Sequence, residues 1–173
     1  MKVYAFAVAV CLAAPIPAVA QLITDAQIAS IVVTANQVDI DAGALAESRS
    51  KNAEVKRFGQ QMVAAHTGVN KQAVELVTRL HVTPQDNPTS QSLKAGADAN
   101  LAHLKTVDGA AFDQAYIERE VAYHQRVLDA IDKTLIPGAK NEELKGLLVK
   151  VRPAIAGHLE HAKMIQASLT ARK

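Results

Sequence analysis

The chain has 173 residues, a formal net charge of +2 and 49% hydrophobic residues, with one cysteine and no tryptophan. That is enough chain for one domain with a real core. Scattered charges with few aromatics exclude a basic nucleic-acid surface, and a lone cysteine excludes a disulfide framework or a cysteine-based metal site.

The first twenty residues read as a secretory signal peptide. Lys2 is a short positive start, Val3 to Ala14 is an almost unbroken apolar run, and Ala18-Val19-Ala20 is a small-x-small cleavage site. The run is shorter than the roughly 20 apolar residues that span a bilayer, and Pro15 and Pro17 interrupt it where an anchor continues. The expected product is a periplasmic or secreted domain of residues 21–173. Cys11 leaves with the signal; Val10 before it is larger than lipid-attachment sites prefer. Nothing further along is long and apolar enough for a transmembrane helix, and no alternating pattern suggests a membrane barrel.

The remainder predicts helices throughout. Ala, Leu, Gln, Lys and Glu, which favour helices, dominate it. The first helix is capped by Thr24-Asp25 and runs to about Ser50, with an apolar stripe of Ile28, Ile31, Ala35, Val38, Ala42 and Leu45. The second follows Asn52 and runs to about Leu80, with Val55, Phe58, Met62, Val69, Ala73 and Leu76 inward. Pro84, Asp86, Asn87 and Pro88 mark a loop. A shorter helix covers Ser90 to Lys105. Another long one runs from Ala110 to Ile136, with Phe112, Ile117, Val121, Leu128, Ile131 and Leu135 inward, and Pro137-Gly138 ends it. The last runs from Asn141 to Thr170, with Pro153 expected to kink it or end a turn. The fold class is therefore all-α. The extra helix between the second and third long helices is long enough to cross the bundle, which suits a ferritin-like four-helix bundle with one crossover.

Each long helix interrupts its apolar stripe with a potential ligand. His66 sits between Met62 and Val69, His124 between Val121 and Leu128, His158 between Ile155 and Ala162, and Asp39 on the edge of the first stripe. All four lie near the middle of their helices. At 1.5 Å rise per residue, their levels agree to roughly 5 Å. Three imidazoles and a carboxylate suit Zn, Cu, Fe or Mn. Glu120 is the best further carboxylate, as a ligand or as the partner that orients an imidazole. Tyr116 and Tyr123 lie within a turn or two, and Met62 matters only for copper. The competing reading is a buried hydrogen-bond network of the same side chains, and a third is a pH sensor built on neutral buried histidines. His161 is placed at the rim, and His81 and His103 at the surface. Phosphate-binding loops, Gly-x-Ser-x-Gly elbows and His-Glu-x-x-His motifs are absent, so the pattern favours a binding protein over an enzyme.

The segment Val55-Lys56-Arg57-Phe58-Gly59-Gln60-Gln61-Met62-Val63-Ala64-Ala65-His66 resembles the V-x-x-F-A-x-x-M-V-x-D-H segment of the DUF4142 proteins. Gly109 to Tyr116 followed by His124, and Pro153 followed by His158-Leu159 and Ala162, are similar to the same family. The resemblance implies an exported ferritin-like bundle without an assigned activity. It places Asp39 where the family usually has Glu, and His66, His124 and His158 on family histidines. Two acids that precede the histidines in relatives are Ala65 and Tyr123 here. The paired Glu-x-x-His motifs of di-iron ferritins are missing, which leaves ferroxidase chemistry as a fold analogy only.

Overall fold

The computed structural model describes residues 23–171. The expected signal peptide and its cleavage site lie outside them. The described residues form five helices joined by short links, with no strand among them. They are α1 (Asp25–Arg49), α2 (Ala53–Arg79), α3 (Pro88–Leu104), α4 (Gly109–Ala130) and α5 (Glu142–Ala171). A π-helical turn, Ile131–Leu135, and a last turn, Ile136–Gly138, extend α4.

Local chemistry sets the ends. Thr24 and Gln27 form a reciprocal capping box on α1. Asn52 accepts from the Glu54 and Val55 amides at the start of α2. Asn87 caps α3, with Pro88 in its first turn, where a missing N–H costs nothing. That helix therefore starts two residues earlier than the proline-rich composition suggests. Pro153 does not end α5, which continues past it to Ala171. It lies on an exposed stretch of the helix.

Side-chain bonds between distant segments give the helix directions. Asp25 at the start of α1 accepts from the Lys140 and Asn141 amides, at 2.9 and 3.1 Å, just before α5 begins. Near the same end, the Gln85 amide donates to the Ala26 carbonyl at 2.9 Å and Asn87 Nδ2 to the Gln27 carbonyl at 3.1 Å, ahead of α3. At the other end of α1, Arg49 donates to the carbonyls of Leu104 and Val107, both at 3.1 Å, and pairs with Asp108. So α1, α3 and α5 run one way, and α2 and α4 the other.

Two apolar clusters occupy opposite ends of the molecule. One gathers Ile28, Ile31, Leu76, Ile131, Leu148 and Ile155; the other gathers Val55, Phe58, Met62, Phe112, Ile117 and Ile165. Met62 belongs to the second cluster. Val121 and Leu128, expected inward on α4, are only partly buried, and Tyr116, Glu120 and Tyr123 take the inner positions instead. The polar residues of interest lie between the clusters.

Candidate metal centre

Asp39 comes from α1, His66 from α2, Glu120 and His124 from α4, and His158 from α5. All five are buried, with 0–6% of their surface exposed. One ligand atom from each of His66, His124 and His158 lies within 4.8 Å of the other two. Asp39, Glu120 and His124 form a second such group, so His124 joins the two. The ring centroids of the three histidines stand 5.3, 5.4 and 5.8 Å apart.

Hydrogen bonds assign the tautomers. Asn36 Nδ2 donates to the Val32 carbonyl at 2.9 Å, which turns its Oδ1 toward His66 Nδ1 at 2.7 Å. Nδ1 of His66 therefore carries the proton, and Nε2 presents a lone pair. His124 Nδ1 donates to the Glu120 carbonyl at 3.1 Å, leaving its Nε2 as the lone pair. Both Nε2 atoms are buried without a hydrogen-bond partner, as is Nδ1 of His158. The carboxylate oxygens Asp39 Oδ1 and Glu120 Oε2 and the Tyr116 hydroxyl are buried without one too.

The electrostatics follow from burial. Removal from water pushes His66 down to about 3, aided by His124 and His158, and His124 down to about 4, aided by His158. Burial lowers His158 as well, with His161 adding to it. All three imidazoles are neutral near pH 7. Burial raises the Asp39 carboxyl well above its usual range, and the neighbouring Glu120 charge adds to this. Burial pushes Glu120 up to about 8, against the pull of Arg119. Asp39 Oδ2 also faces His66 Nε2 at 3.3 Å. An acceptor facing an acceptor needs a proton or a cation between them, because lone pairs repel.

His161 hydrogen-bonds Gln61 at 3.1 Å and sets its ring edge against Phe58, 5.2 Å away, outside both ligand groups. His81 and His103 are exposed. Tyr123 donates to the Ala35 carbonyl at 3.0 Å. The Arg119 guanidinium lies over the Tyr123 ring, 4.6 Å from its centroid.

Sequence reasoning missed Asn36 and Arg119. Asn36 stands three residues before Asp39, on the same face of α1, so a second polar residue in an apolar stripe was its available signal. Arg119 had one in its i,i+4 spacing to Tyr123, the ring it covers.

The five side chains form a buried cluster of neutral imidazoles, two of them with assigned tautomers, and carboxyls that hold their protons unless a cation displaces them. Such a cluster can take a cation or share protons. No helix among the described residues is long and apolar enough to cross a membrane. No curated protein and no solved structure matches the chain. The family model described as a domain of unknown function, DUF4142, matches residues 12–165, most of the chain, and the protein belongs to that family.

Proposed function

We propose that the protein is an exported, ferritin-like four-helix bundle that binds one transition-metal ion at mid-bundle, for metal handling or protection against redox stress. The ligands are His66, His124 and His158, with Asp39 or Glu120 completing the set. The opposed directions of α1 and α5 against α2 and α4, with α3 running the length of the crossover, support the ferritin-like reading. Export rests on the signal-like first twenty residues.

One observation carries the metal reading. Three imidazole nitrogens, Nε2 of His66 and of His124 and Nδ1 of His158, are buried without a hydrogen-bond partner, and the first two are lone pairs because Asn36 and a backbone carbonyl hold the proton on the other nitrogen of each ring. A network evolved only for structure leaves few buried acceptors unmatched. A metal ion satisfies all of them at once, and partners on the far nitrogens are how ligating histidines are usually held. Tetrahedral ligands at ~2.1 Å from a metal sit about 3.4 Å apart, so small side-chain rotations close the 4.8 Å group around an ion. Nitrogen and oxygen donors without thiolate favour Zn, Fe, Mn or Cu(II) over Cu(I).

Elemental analysis of protein purified from its native compartment, then of protein reloaded with each metal and dialysed, tests this. One equivalent of one metal is expected. No bound metal in either sample sinks the reading and leaves a water-bridged hydrogen-bond network.

A further inference from the structure

A cavity of about 450 Å³ opens beside the cluster and ends on Asn36, Asp39 and His66. Its volume falls within the ~300–1,000 Å³ of small-molecule sites. Its walls are aliphatic, with Ile31, Val127, Ile131, Leu135, Leu148 and Ile155 around it. Pro88, Thr89 and Ser92 of α3 and Arg126 of α4 line it as well, and all four are exposed, so they form its mouth.

Two features mark the cavity as a binding site. The first is charge. Arg126 makes no ion pair among the described residues, although Arg79 and Arg152, also on the surface, do. Arg126 is close enough to Arg119 for its charge to oppose Arg119's own. Arg119 Nη1 is itself buried without a partner. An exposed guanidinium without an ion pair, beside an apolar opening, suits an anion. The second is the backbone. The π-helical turn Ile131–Leu135 supplies two of the wall residues. Such turns interrupt α-helices at a cost and recur where a helix shapes a site.

We propose that this cavity binds one single-chain anionic amphiphile, a fatty carboxylate, with its chain between α1, α4 and α5 and its carboxylate at Arg126. The apolar body matches the aliphatic walls, and Thr89 and Ser92 add hydroxyls to the same lining. Binding at the mouth needs no metal, so this site stands independently of the proposed centre.

Titration calorimetry of the full chain with monomeric dodecanoate, in the presence of a chelator, tests it. Saturation at one equivalent is expected, with dodecanol weaker by tenfold or more. R126Q should lose at least tenfold in affinity by removing the charge. S92W should abolish binding by plugging the mouth from an exposed position where the fold tolerates it. No saturation, equal affinity for dodecanol, or wild-type binding by both variants overturns the proposal. Cosedimentation with anionic phospholipid vesicles without dodecanoate binding overturns it in favour of a membrane surface. Because the chelator removes metal from every arm, a failed metal analysis and a failed titration remain separate results.

Discussion

Asn36 controls more than its own two bonds. It holds the His66 ring by Nδ1 and thereby aims Nε2 into the cluster. Replacing it with alanine frees the ring and leaves a buried N–H without an acceptor. N36A should cost about 1–3 kcal/mol in stability and about 10–100-fold in metal affinity. Urea unfolding and chelator competition measure the two effects. Unchanged metal affinity in a folded N36A protein would mean that the tautomer is set elsewhere.

The titrating side chains pull stability in opposite directions. The histidines are lowered in the folded state, so below their ordinary value near 6.5 the unfolded chain binds more protons. Their contribution is full above that value and is lost as pH falls toward about 4. Asp39 and Glu120 are raised, so their contribution is full below the ordinary carboxyl range and is lost as pH rises above it, for Glu120 through about 8. The two effects offset each other below about 6.5, so metal-free protein should change little there and lose stability from about pH 6.5 to 8, where only the carboxyls titrate. Urea midpoints measured at about pH 5, 6 and 8 check this. A steady rise from the lowest to the highest pH contradicts it.

At the scale of the helix, α1 and α2 touch backbone to backbone. A Cβ on Gly43 meets the Gly59 carbonyl at 2.8 Å, and one on Gly59 meets the Gly43 carbonyl at 2.7 Å. Backbone cannot swing aside as a side chain can, so G43A and G59A should each destabilise by about 1–3 kcal/mol. Gly68 and Gly96 are helical with open space around them, and alanine there should stabilise by up to about 1 kcal/mol. Thermal unfolding of the four variants should split them by sign. The close approach is invisible in a linear sequence, because each glycine reads as a weak point in its own helix until the partner is known. The caps were legible for the opposite reason. Thr24, Asn52 and Asn87 bond amides two or three residues away, so the whole interaction lies within a few letters. The π-helical turn was not legible, since Ile131–Leu135 carries no residue that forbids an α-helix.

Across the whole molecule, the proposed metal would join residues from four helices. It should stabilise the native state by about 2.7 kcal/mol at a hundredfold excess over Kd. H124A removes the residue shared by both ligand groups, and its melting temperature should not respond to added metal. A metal-dependent rise in H124A equal to that of wild type would place the ion elsewhere.

Helix number, their approximate ends and the residues that break each apolar stripe could all be read from periodicity, because they depend on neighbours three or four positions away. The shared depth of Asp39, His66, His124 and His158 was legible too, since rise per residue is constant. What required the folded chain was everything set by distance between helices. That includes which nitrogen of each imidazole faces inward, the glycine contact between α1 and α2, the pairing of Asp39 with Glu120, and the cavity that ends on His66. Burial and orientation arise only when separate helices exclude water from the space between them, and no stretch of one helix encodes that space alone.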